Sequence, residues 1–176
     1  MDRAAPRTIA GEALEIASLV AEWITEEIRR GARLFSLEGL MKSGKSHLVM
    51  QLEPLIAFSS LTLDDFLAPE ELAWEDSIHT EAAHFAVQEL LAGAGPVIVE
   101  GAVAWPTVAP LCTGVETRRL YLKRMQFPTF WADEAELTEC MPQQTFRRSV
   151  RDYHATTRPW EVADLVIERL VTEFGE

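Results

Sequence analysis

Residues 39 to 46 read Gly-Leu-Met-Lys-Ser-Gly-Lys-Ser, an uninterrupted G-x-x-x-x-G-K-[ST] phosphate-binding pattern. The chemistry of such a segment is that of an anion cradle. Gly39 and Gly44 permit backbone angles that a side chain would forbid. Loop N–H groups can then turn towards phosphate oxygens, helped by the N-terminus of the following helix. Lys45 supplies a point charge to the β- and γ-phosphates, and Ser46 a hydroxyl to Mg²⁺. Lys42 and Ser43 lie inside the loop and His47 directly follows it, so all three join the candidate nucleotide contacts. The expected ligand is a nucleoside triphosphate.

Two further groups of residues carry chemistry. Leu63-Asp64-Asp65-Phe66 places adjacent acids at the end of an apolar run, and Glu100-Gly101 ends another. Adjacent acids cannot point the same way. One can face a cleft as general base towards an acceptor hydroxyl, and the other can reach Mg²⁺ through water. Glu100 is placed to hold metal-bound water or substrate, so the candidate metal residues are Ser46, Asp65 and Glu100. The third group is Phe146-Arg147-Arg148-Ser149-Val150-Arg151-Asp152. On a helix Arg147 and Arg151 share a face at i, i+4, and Arg148 and Arg151 are neighbours at i, i+3. Such arginines, folded over a triphosphate, neutralise charge that develops during transfer.

These residues need elements to hold them. The apolar run Leu34-Phe35-Ser36-Leu37 before the loop and the helix-compatible stretch after it give strand, glycine loop, helix. Strands are expected at about 33–38, 56–63, 96–101, 119–123 and 162–167. Helices are expected at about 12–30, 45–54 and 80–92, and over 134–155 with a break near Met141-Pro142. Residues 67–78 read as loop and short helix. Strands alternating with helices predict a parallel α/β sheet with right-handed crossovers. Ligands on such sheets sit at the C-terminal strand edges, where the marked residues fall.

With 176 residues, 48% hydrophobic and 25% charged, the chain is expected to form one domain spanning 1–176. The formal net charge of −12 argues against a general nucleic-acid binder. No run of eighteen or more apolar residues predicts a membrane span, and the N-terminal residues lack a signal-peptide core. Cys112 and Cys140 form no CxxC pair or zinc spacing. The expectation is a cytoplasmic protein with reduced thiols, and the sequence leaves room for a homodimer.

In this order, the phosphate loop, Leu63–Phe66, Val97–Gly101, Arg147–Asp152 and Ala163–Ile167 resemble the uridine kinase-like group of P-loop kinases. That group includes pantothenate kinase and phosphoribulokinase. The resemblance covers about residues 12–170. It implies a P-loop NTPase fold: a five-stranded parallel sheet of order 2-3-1-4-5 flanked by helices, with a helical lid at about 141–158. It also implies ATP with Mg²⁺ and transfer to a small-molecule hydroxyl. By motif position Asp64 matches the catalytic base, and Arg147, Arg148 and Arg151 match the lid. Lys45, Asp64, Arg148 and Arg151 are thus the candidate catalytic residues, and Arg147 a nucleotide contact.

The sequence departs from the group in two places. Only some thirty residues separate the second and third expected strands, which leaves little room for a nucleoside-binding hairpin. Tyr153-His154-Ala155-Thr156-Thr157-Arg158-Pro159 stands where an R-G-R commonly follows the lid. From Ser46 to Thr117 there is no lysine or arginine, against eleven acids. An anionic acceptor would need arginines there, so a neutral or cationic acceptor, nucleoside- or sugar-like, is expected. Trp74, Trp105 and Trp131 serve either to stack on a ring or as packing. The alternative reading is a regulatory P-loop ATPase without a small-molecule acceptor.

Overall fold

Every residue of Leu34–Glu38 (β2) and of Val97–Glu100 (β4) is buried. Strands with apolar residues on both faces belong in the middle of a parallel sheet covered on both sides. These two pair in parallel, Leu34 beside Val97 and Leu37 beside Glu100. The structure, a computed structural model, describes residues 5–68, 72–134, 137 and 145–170. Five more strands complete the sheet: β1 (Arg7–Gly11), β3 (Ser59–Thr62), β5 (Thr117–Phe127), β6 (Phe130–Trp131) and β7 (Leu165–Leu170). The order is β3-β4-β2-β5-β7-β1, all neighbours parallel, with β6 antiparallel against the end of β5. The protein is therefore an α/β protein with a mainly parallel sheet flanked by helices.

The sheet has seven strands, not the expected five, and its order differs from the expected one by two additions. The first is β1, which extends the edge beyond β7. In Arg7-Thr8-Ile9-Ala10-Gly11 only Ile9 is buried, as suits an edge strand, so no apolar run marks it in the sequence. The second is β6, formed where β5 continues to Phe127 and folds back. Two boundaries also move. Leu63, expected to end β3, instead opens a 3₁₀ turn over Leu63–Phe66, and Val162, expected to begin β7, ends the short helix Pro159–Val162, with β7 starting at Leu165.

The helices cover both faces. On one, Ile16, Val20 and Ile24 of α1 (Ala13–Arg29) and Leu48 and Leu52 of α2 (Lys45–Leu52) pack on Phe35, Leu37, Ile98, Leu122 and Ile167. Spacing by four residues keeps the α1 positions on one face, and Gly31, at φ 100°, lets the chain turn away after it. Removing a fully buried side chain such as Ile24 would cost about 2–5 kcal/mol. On the other face, Ala83 and Val87 of α4 (Thr80–Ala92) and Val108 of α5 (Ala104–Val108) meet Leu34, Val97 and Val99. A short α3 (Trp74–Ser77), α6 (Thr145–Thr157) and α7 (Pro159–Val162) are further helices among the described residues. The Met141-Pro142 break and the first part of the expected lid lie outside the described residues. No described helix is long and apolar enough to cross a membrane.

Candidate active site at the phosphate loop

The loop joins β2 to α2, and its two glycines have different reasons to be there. Gly44 has φ 96°, the left-handed region that favours glycine, and precedes the first turn of α2. Gly39 does not have positive φ, which corrects the expectation from sequence. Its need is space: a Cβ there would lie 2.6 Å from the Leu122 carbonyl oxygen of β5 and 2.7 Å from Ser43 Oγ. The loop's other left-handed residue is Lys42, at φ 62°. Ser43 is buried, its hydroxyl facing Gly39.

Lys45 opens α2 but points back under the loop. It is only 8% exposed, and its Nζ donates to the Gly39 and Leu40 carbonyl oxygens, each at 3.1 Å. Burial pushes its pKa down, opposed by the negative charges of Glu100, Asp64, Asp133 and Glu38. Ser46 Oγ donates to Glu100 Oε1 at 2.6 Å. Glu100 ends β4, in register with Leu37 of β2 on one side and Thr62 of β3 on the other, so it stands at the C-terminal sheet edge beside the loop.

Asp64 and Asp65 follow β3 in the Leu63–Phe66 turn and separate as adjacent acids must. Asp64 lines a cavity of about 500 Å³ together with Lys42, Gly44, Lys45, Ser46, His47 and Glu100. Asp65 lines the adjoining groove with Ser46, Glu100, Ser60 and Thr62. Ser46 and Glu100 face both spaces. Among the described residues no three His, Cys, Asp or Glu side chains form a self-contained metal cluster. A hydroxyl paired with a carboxylate is nonetheless a hard-oxygen donor set that suits Mg²⁺, which takes few protein ligands and completes its shell with phosphate oxygens and water.

The arginines stand elsewhere. Phe146 is the α6 side chain that lines the cavity; Arg147, Arg148 and Arg151 do not. Arg147 is exposed. Arg148 Nε lies 3.9 Å from Asp152 Oδ2, and Arg151 Nη2 bonds Asp152 Oδ1 at 2.9 Å. In this conformation the arginine helix does not deliver its charges to the loop.

Several residues at the site had no assigned role in the sequence reading. Glu38, the last residue of β2 before Gly39, is 2% exposed. It accepts from the Tyr153 hydroxyl at 3.0 Å, has Arg119 Nη2 at 3.8 Å, and is pushed up by burial to about 7. Next to Tyr153, the fully buried His154 accepts from the Tyr121 hydroxyl at Nδ1, 2.9 Å, and donates from Nε2 to the Ala102 carbonyl at 2.7 Å. Both ring nitrogens are thereby used in the neutral form, and burial lowers the pKa to about 4. Arg169 of β7 lies against Gly44. An acid ending an apolar run directly before the loop was a readable signal for Glu38; nothing local marked the others.

The tryptophans pack rather than line the cavity. Trp74 meets Tyr153 edge-on at 5.7 Å, Trp105 lies under the Arg119 guanidinium at 4.4 Å, and Trp131 packs on Tyr121 and Trp160. His84 bonds the Thr107 carbonyl, and Cys112 is a free thiol.

No protein-family model matches the chain, and no curated protein matches it. The functional reading therefore rests on the loop and on what surrounds it.

Proposed function

We propose that the protein is an ATP-dependent phosphotransferase acting on a hydroxyl of a small neutral or cationic molecule. The observation that carries this reading is that Asp64 lines the same cavity as Lys45 and Ser46 of the phosphate loop. A base, a phosphate cradle and a space for an acceptor meet at one sheet edge.

The loop N–H groups and the start of α2 receive the phosphates. Lys45 exchanges its two carbonyl partners for β- and γ-phosphate oxygens. Ser46, with Glu100 behind it and Asp65 in the adjoining groove, would hold Mg²⁺, which would supply charge neutralisation on the phosphates. Asp64 takes the acceptor's hydroxyl proton. The acceptor oxygen forms a bond to the γ-phosphorus, and the bond from that phosphorus to the β–γ bridging oxygen breaks. The electron pair leaves with ADP. Arg148 and Arg151, with Arg147 on the nucleotide, reach the γ-phosphate after α6 moves, since none of the three lines the cavity in the conformation described.

A screen of hydroxyl compounds for ADP release in the presence of ATP and Mg²⁺ tests the reading. One or more alcohols should accelerate ADP release well above the rate with water alone. Turnover that no alcohol accelerates would replace the transferase reading with an ATPase.

A further inference from the structure

The cavity is chemically divided. Its phosphate end is polar and built from the loop. An apolar wall is made by Leu67, Ile78, Val103 and Phe146, which Met41 of the loop and Ala102 join. Ile78, Val103 and Phe146 are buried and belong to one apolar cluster. Among the described lining residues, the polar side chains outside the loop are His47, which directly follows it, Asp64 and Glu100, and Glu100 is engaged by Ser46.

This wall is assembled, not incidental. Leu67 and Ile78 face each other across an antiparallel bridge, closed by Ala68 N–H to Ser77 O at 2.6 Å and His79 N–H to Phe66 O at 2.9 Å. Phe146 is brought in by α6, which is tied down by Ser149 Oγ accepting from Trp74 N–H at 2.8 Å, and further along by Tyr153 and His154.

A nucleoside or sugar placed with one hydroxyl at Asp64 would turn its other hydroxyls onto aliphatic and aromatic carbon. Polar groups buried without partners are disfavoured. Among the described lining residues an anionic acceptor would meet Asp64 and Glu100, with no lysine or arginine beyond Lys42 and Lys45, which the donor's phosphates take.

Resting on the phosphotransferase reading above, we infer that the acceptor is an alcohol whose hydroxyl is carried by an uncharged, largely apolar body, alkyl or aryl. Its hydroxyl sits at Asp64 and its body against Leu67, Ile78, Val103 and Phe146. The same cavity must hold the donor's terminal phosphate, so the body is small. The transfer balances as before: the alcohol oxygen gains the phosphoryl group, Asp64 takes the proton, and ATP leaves as ADP.

The test has two stages. Calorimetric titration of the full chain with a non-hydrolysable ATP analogue and Mg²⁺ comes first; no binding overturns the phosphotransferase reading and this inference with it. The loaded protein is then titrated with 2-phenylethanol and cyclohexylmethanol against ribose and uridine, and the same compounds are compared for ADP release with ATP. The apolar alcohols should bind more tightly and give kcat/KM higher by about tenfold or more, the scale on which apolar pockets discriminate.

Ribose or uridine as the better ligand overturns the inference and leaves the phosphotransferase reading in place. So does a nucleotide-loaded protein that binds no apolar alcohol. Leu67→Asn should weaken 2-phenylethanol binding by about fivefold or more with nucleotide affinity nearly unchanged. Phe146→Leu, which keeps the wall apolar but reshapes it, serves as the second variant, and its ratio of affinities for aryl over alkyl alcohol should fall. Wild-type acceptor binding in both folded variants would overturn the placement.

Discussion

Lys45 is an ammonium held under the loop by two carbonyl oxygens, with burial working against its charge. On the proposed function its place there serves the phosphates more than the fold. Lys45→Ala is expected to abolish phosphoryl transfer while changing stability by only about 1 kcal/mol, since a poorly solvated charge is removed along with its hydrogen bonds. Thermal melting beside an ADP-release assay checks both halves, and near-normal turnover would end the phosphate-loop reading. The two acids separate more finely. Asp64→Asn should lower kcat by roughly 10²–10⁴ as a lost general base, with little change in ATP affinity. Asp65→Asn, in the adjoining groove, should be milder; the reverse ranking would move the base to Asp65. The loop and the acids were legible in the sequence because their chemistry lies in residue type and short spacing. Glu38 with Tyr153 was not, because those two residues are 115 apart and only the fold makes them partners.

The helix α6 has two roles along one length. Its first turns carry Phe146 against the cavity and Arg147, Arg148 and Arg151 outside it. Its later turn is pinned by Tyr153 to Glu38 and by His154 to Tyr121 and Ala102. A lid that brings the arginines inward must therefore bend or shift in the first turns while the pinned turn stays. Amide exchange with and without an ATP analogue should show nucleotide-dependent protection over residues 145–151 and none over 153–157. Equal protection throughout would take the lid role from the arginines. The helical spacing of the arginines was readable from sequence, but the direction they face was not, because Asp152 on the same helix captures two of them. The central strands β2 and β4 were readable for the opposite reason: continuous burial leaves continuous apolar sequence. The edge strand β1, with one buried residue, leaves almost no such trace.

At the scale of the whole molecule, two buried titrating groups beneath the loop make stability depend on pH in opposite directions. Glu38 faces Arg119 and Lys45, with the Tyr153 hydroxyl on it, yet burial outweighs them and raises it from 4.5 to about 7. The folded state thus holds the Glu38 proton more tightly than the unfolded one. Its contribution to stability is fully present below about 4.5 and is lost as pH rises to about 7. His154, buried and facing the Lys45 charge, is depressed from 6.5 to about 4. Its contribution is fully present above 6.5 and is lost as pH falls through about 4. Between these limits the two slopes oppose, and single variants expose them. Relative to the native chain, Glu38→Gln should gain stability progressively from about pH 4.5 to 7, and His154→Gln should gain it as pH falls from 6.5 to about 4. Each gain should reach roughly 1–3 kcal/mol, the scale of shifts this large after local relaxation. Urea unfolding at a series of pH values measures both differences. A flat difference for Glu38→Gln would mean that Arg119 and Lys45 keep the carboxylate charged at the base of the loop. One more fixed negative charge would then stand at the base of the loop at neutral pH, and the proposed preference against anionic acceptors would be stronger still.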